Sequence, residues 1–137
     1  IARARFCLER VNLLDAQYKS PAELSGGMQK RAAIARAIAL EPRYLFCDEP
    51  TSGHAPQTSL IIDELIHDIT REFKITTIVN THDMNSVMGI GDHIIFLAGG
   101  KKSWEGTKDE ILYTDNKLLN DFLFSSDLLR KVRKIEQ

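Results

Sequence analysis

The sequence predicts an α/β layered fold: a mostly parallel sheet with flanking helices and a C-terminal hairpin. Three observations carry that prediction. The short apolar runs Tyr44–Cys47 and Ile75–Asn80 lack alternation, as inner parallel strands buried on both faces do. Segments with helical apolar spacing precede and separate them. Gly99-Gly100 sits between Ile94–Ala98 and Lys102–Glu105, the pattern of a hairpin.

Taken in order, Arg3–Leu14 reads as a helix with Phe6, Leu8, Val11 and Leu14 on its apolar face. A polar stretch containing Pro21 leads to Ser25-Gly26-Gly27. From Met28 an alanine-rich run through Leu40 is a strong helix, stopped near Glu41-Pro42 because proline disfavours helix for the residue before it. The Tyr44–Cys47 strand ends in Asp48-Glu49-Pro50. Leu60–Ile69 repeats Ile61, Ile62, Leu65, Ile66 and Ile69 as a helical stripe. The next strand stops at Thr81-His82-Asp83, and Met84–Ile90 is a short helix. After the hairpin come helical segments near Lys108–Tyr113 and Lys117–Phe124, then a charged tail.

Composition narrows the class of partner. The chain has 137 residues, 43% apolar and 27% charged, with a net charge of -1. That balance belongs to a soluble globular protein and gives no reason to expect nucleic acid, whose binders carry a basic excess. The apolar runs are far too short to span a bilayer, so direct membrane insertion is not expected. Cys7 and Cys47 lie far apart without ligand spacing and read as reduced, buried thiols of a cytosolic protein.

Three strings carry chemistry. Leu24-Ser25-Gly26-Gly27-Met28-Gln29-Lys30-Arg31 places a serine and two glycines directly before a long helix. Free backbone N–H groups and the helix dipole there favour an anion, and glycine lets a phosphate come close. Read alone, Ser25 could equally be a plain N-cap. Asp48 and Glu49 close a buried parallel strand, the end at which open α/β sheets bind ligands. As adjacent strand residues they are expected on opposite faces, so one can hold Mg²⁺ and the other polarise a water. His82 ends the neighbouring strand on the same edge, where it could bond a phosphate oxygen. His54, His67 and His93 read as packing or surface histidines, with a reservation for His54.

In order and separation these strings resemble the ABC transporter ATPase family, over essentially the whole chain. Leu24–Gln29 resembles its signature, Tyr44–Pro50 its Walker B motif, Thr51–Pro56 its D-loop, and His82 its switch histidine. The resemblance implies a P-loop NTPase-like fold and residues 1–137 as the C-terminal half of one ABC ATPase domain. It implies that Ser25, Gly26, Gly27 and Gln29 contact ATP held by another subunit. Asp48 would be the Mg²⁺-associated acid, Glu49 the general base, and His82 the γ-phosphate contact. It further implies a head-to-tail second ATPase subunit, a transmembrane permease, and a place on the cytoplasmic face of the cell membrane. Arg31–Ala37, Thr81–Met84 and Lys117–Leu123 are similar to ATPases of Mla-type lipid transporters; importers of small solutes share much of this text.

Two departures stand out. No Gly-x-x-x-x-Gly-Lys-Ser/Thr occurs, and the chain opens on Ile1 rather than Met. The phosphate-binding half is therefore expected upstream, and the isolated chain is expected to be inactive. The family D-loop reads Ser-Gly-Leu-Asp-Pro, but here His54 and Ala55 replace Leu and Asp. Rival readings are a non-transport ABC ATPase acting in ribosome function or DNA repair, or a degenerate regulatory domain. Neither sustained heptads nor a basic tail favours the first, and intact Ser25, Gly26, Asp48, Glu49 and His82 oppose the second.

Overall fold

A computed structural model of the chain describes residues 1–125; the charged tail lies outside the described residues. The chain divides into two compact units, Ile1–Ser86 and the part from Val87 onward.

The first unit begins with α1 (Ala2–Arg10), which stops short of the predicted Leu14. Asn12 ends it: with φ 54 it takes the left-handed turn that asparagine tolerates. Asn12 N–H donates to Glu9 O and Leu13 N–H to Leu8 O, the paired bonds of a Schellman stop. Arg31 then clamps the turn by donating to the carbonyls of Val11 and Asn12. The apolar face shifts accordingly: Cys7, Val11 and Leu13 are buried, while Phe6 is exposed.

Helix α2 (Gly26–Ile38) buries Ile34, Ala35 and Ile38 and packs between α1 and α3. Arg3 satisfies its last carbonyls, donating to Ile38 O and Ala39 O. Strand β1 (Tyr44–Asp48) follows, then helix α3 (Pro56–Glu72) and strand β2 (Thr76–Asn80). β1 and β2 pair in parallel, Leu45 opposite Thr77 and Asp48 opposite Asn80, so β1, α3 and β2 form a βαβ crossover. Ile62, Ile66 and Ile69 line the buried stripe of α3, each stabilising by about 1.5–3 kcal/mol. Ile61, predicted on that stripe, is 54% exposed because it lies a third of a turn away.

The strands depart from the prediction of burial on both faces. Leu45, Cys47, Thr77 and Val79 occupy one face and are buried or half-buried. α3 reaches this face through Thr70, whose hydroxyl lies 2.6 Å from that of Thr77. Burial raises the pKa of the Cys47 thiol. Tyr44, Phe46 and Ile78 occupy the other face and are 62%, 71% and 51% exposed. The cause is layer count: among the described residues of this unit, one helical layer covers one face of a two-stranded ribbon.

The second unit carries most of helix α4 (Met84–Ile90), then β3 (Ile94–Ala98) and β4 (Lys101–Gly106) in antiparallel pairing. Gly99 and Gly100, at φ 57 and 72, make the predicted turn, which requires two positive φ angles in succession. Helices α5 (Lys108–Ile111) and α6 (Lys117–Leu123) follow. Thr107 and Glu110 cap α5 reciprocally, and Asn116 caps α6 while donating to Ser103 O on β4. Ile111, Leu119 and Leu123 form the core here, with Phe96 stacked at a tilt on Phe122.

One end of α3 is poorly made. Ala55 is its N-cap and has no side-chain acceptor to offer. Ala55→Asp is expected to raise the stability of the chain by about 1 kcal/mol, read as a higher urea midpoint at unchanged slope.

Candidate functional site

The site begins where the β1–β2 ladder ends. Asp48 is the last residue of β1, on the exposed face, and its Oδ1 accepts from Asn80 Nδ2 at 2.7 Å. Glu49 is already outside the strand. Its φ of 46 puts it in the left-handed region, which costs a residue with a Cβ about 1–2 kcal/mol. Backbone bonds hold it there: Glu49 N–H donates to Asn80 O at 2.8 Å, and Ser52 N–H donates to Glu49 O at 3.2 Å. This corrects the expectation from strand alternation. Asp48 and Glu49 do have different partners, but a left-handed turn separates them rather than the pleat.

Glu49 meets His82. The carboxylate Oε1 accepts from the His82 backbone N–H at 3.2 Å and lies 2.9 Å from ring Nδ1. The hydrogen bond that the His82 ring makes to Glu49, then the carboxylate's charge, raises the pKa of His82, with Asp83 adding in the same direction. With Nδ1 engaged, Nε2 is the nitrogen left for another acceptor. Asp48, Glu49 and His82 therefore gather at one edge of the parallel ribbon. Asn80, which the sequence reading did not single out, joins them; an asparagine at a strand end carries no distinctive signal.

The glycine-rich string occupies the start of α2. Ser25 is its N-cap, at φ -63 and ψ 162, and its Oγ accepts from Met28 N–H at 3.2 Å. Ser25 thus caps the helix, and its hydroxyl hydrogen is left to donate. A Cβ at Gly26 would lie 3.0 Å from His54 Cε1, and one at Gly27 would lie 2.8 Å from Thr58 Cγ2. The Thr51–Pro56 loop and α3 thus approach both glycines closely, and a side chain at either position would require His54 or Thr58 to shift. His54, the departure from the family loop, packs on the helix start, and its Nε2 is buried without a hydrogen-bond partner among the described residues. Gln29 folds back, its Nε2 donating to Pro21 O and Leu24 O. Lys30 Nζ lies 3.5 Å from Glu49 O, linking α2 to the acidic turn.

Among the described residues no group of three His, Cys, Asp or Glu could hold a metal ion. The donor set fits a hard cation that keeps most of its waters and takes one carboxylate plus phosphate oxygens, which is the habit of Mg²⁺. His67 lies beside Asp68 and His93 beside Glu105, both pairs exposed, as surface histidines do. Among the described residues no helix is long and apolar enough to cross a membrane.

Comparison with known proteins places the chain among transporter ATPase sequences. The ABC transporter family profile matches residues 2–52, which include the start of α2 and the acidic turn. The methionine import ATP-binding protein MetN of Vibrio vulnificus (strain YJ016) is 41% identical over 120 residues, covering 87% of this chain and 35% of that protein. The intermembrane phospholipid transport system ATP-binding protein MlaF of Haemophilus influenzae is 40% identical over 116 residues, covering 85% and 44%. The dimeric structure of MJ0796, a bacterial ABC transporter cassette, superposes with a TM-score of 0.67 at 35% identity, over 78% of this chain and 46% of that one. The chain belongs to the ABC transporter ATP-binding family. It spans less than half the length of these relatives, 35% in the case of MetN and 44% in that of MlaF.

The raised pKa of His82 has a defined pH signature. Its contact with Glu49 contributes fully below the ordinary histidine pKa of 6.5 and is lost as pH rises through the raised folded value. NMR titration of the His82 ring is expected to give a midpoint above 6.5, and Glu49→Gln is expected to return it towards that value.

Proposed function

We propose that this chain is the C-terminal half of the ATPase domain of an ABC transporter subunit, and that the parent protein couples ATP hydrolysis to transport. The contact of Glu49 with His82 beside Asp48, at the end of the parallel ribbon, is the observation that carries the reading.

In this reading Glu49 is the general base that takes a proton from the attacking water. His82, biased by Glu49 towards its protonated form, offers Nε2–H to a terminal phosphate oxygen and opposes the charge that develops there. Asp48 would hold Mg²⁺, which when bound would screen the phosphate charge. Ser25, with its backbone neighbours Gly26 and Gly27, receives the phosphates of a nucleotide held by a second subunit, at the positive end of α2. Gln29 braces the preceding turn in this arrangement and could reach that nucleotide only by giving up Pro21 O and Leu24 O.

The partners follow from the same reading: a second ATPase subunit packed head-to-tail, and a transmembrane permease that keeps the ATPase on the cytoplasmic face of the membrane. The dimeric MJ0796 cassette supports the first of these. The exposed apolar face of β1 and β2 supports the half-domain reading, since Tyr44, Phe46 and Ile78 are more apolar than a solvent face requires. The other half of the domain, with the P-loop, would cover it. The cargo is a lipid or a small solute; MlaF and MetN match almost equally well, and the Lys117–Leu123 segment favours the lipid.

Without a P-loop the β- and γ-phosphates lack their principal anchor. The 137-residue chain is expected to show no Mg²⁺-dependent ATPase activity. In the complete parent protein Glu49→Gln is expected to lower kcat by about 10²–10⁴-fold, the contribution of a general base. Undiminished turnover in that variant would sink the assignment.

A further inference from the structure

A buried polar cluster lies beneath the site and takes no part in the chemistry above. Asp63 sits on the buried stripe of α3, only 6% exposed. Its Oδ2 accepts from Ser86 Oγ at 2.7 Å, and Ser86 Oγ is in turn 3.5 Å from Thr51 Oγ1. Ser86 and Thr51 are 1% and 4% exposed. Ser59 Oγ donates to Thr51 O at 3.4 Å. Asp63 Oδ1 is buried with no hydrogen-bond partner among the described residues.

Burying a carboxylate with one oxygen unsatisfied is costly, and an apolar residue at 63 would serve α3 better if packing were the only demand. What the cluster joins explains its presence. Thr51 follows Glu49 in the acidic loop, and Ser86 follows His82 in α4. Both Glu49 and His82 lie beyond the ends of their strands, where the β1–β2 ladder no longer fixes them. The bond from Glu49 N–H to Asn80 O is the last backbone tie between the two segments before they diverge.

We infer that Asp63 is a positioning residue: by holding Ser86, and through it Thr51, it fixes the loop carrying Glu49 against the segment carrying His82. A rigid α3 serves as the post to which both are tied. The role does not depend on charge. It depends on an acceptor at the place where Asp63 Oδ2 stands, so an asparagine there preserves it. The inference builds on the assignment of Glu49 and His82 above, but its test needs no nucleotide.

The test is the His82 ring titration followed by NMR in the 137-residue chain. Asp63→Asn keeps an acceptor for Ser86 and is expected to leave the midpoint at the wild-type value. The double variant Asp63→Leu/Ser86→Ala replaces both partners by apolar groups and keeps the helix packed. Its midpoint is expected to fall towards the value of Glu49→Gln. Ser86→Ala alone, which removes only the donor, is expected to lower the midpoint in the same direction and gives a second reading should the double variant fail to fold. A folded double variant, or a folded Ser86→Ala, with the wild-type midpoint overturns the inference. So does Asp63→Asn with a midpoint as low as Glu49→Gln, because charge and not the acceptor would then matter. ATPase assays on the parent protein decide the functional reading separately: an inactive parent with this pattern of midpoints would remove the catalytic role and leave the positioning role standing.

Discussion

The parallel pairing of β1 with β2 is the constraint on which the remaining features rest. Parallel strands need a crossover, and α3 supplies it, with Ile62, Ile66 and Ile69 buried on the inner side of the helix. The ladder runs in register to Asp48 and Asn80, and its last carbonyl receives Glu49 N–H. That bond bends the chain into a left-handed turn just where the second carboxylate must leave the strand. From there Glu49 reaches His82, whose own strand ended at the same level. Carboxylate and imidazole meet because the register is in place, and a slip of β1 by one residue would turn Asp48 towards α3 and away from Asn80.

Close approach is the second theme of the first unit. Gly26 and Gly27 leave space that His54 and Thr58 fill, so the helix start, the loop after the acidic turn, and α3 are packed side chain to backbone. The same absence of Cβ atoms that would let a phosphate in lets these elements touch. His54 stands where the family carries leucine, and a ring with a buried nitrogen that has no partner among the described residues is a costlier filler than an aliphatic side chain. Next to it Ala55 leaves α3 without a side-chain cap. Two neighbouring substitutions thus weaken one loop, and the Asp63–Ser86–Thr51 cluster is anchored at the start of that loop.

Element order was legible in the residues because each segment carries a local signal. Alanine-rich spacing marked α2, the isoleucine stripe marked α3, and Gly99-Gly100 marked the hairpin. The candidate residues Ser25, Asp48, Glu49 and His82 were legible from motif spacing. Less legible were the stops and the pairings. Asn12 ends α1 through a left-handed turn that a periodicity count passes over. Asn80, Asp63 and Ser86 each look ordinary alone, and gain meaning only from partners distant in sequence.

Local chemistry, then, determined by itself which segments are helix or strand and which end of the parallel strands gathers acidic and imidazole groups, because backbone preference and side-chain spacing act over a few neighbouring residues. Tertiary structure decided the rest: which face of β1 and β2 is covered, how far Glu49 turns out of its strand, and what surrounds Asp63. Those outcomes depend on how many layers stack on a sheet and on contacts between residues remote in the chain. No run of neighbouring side chains encodes them.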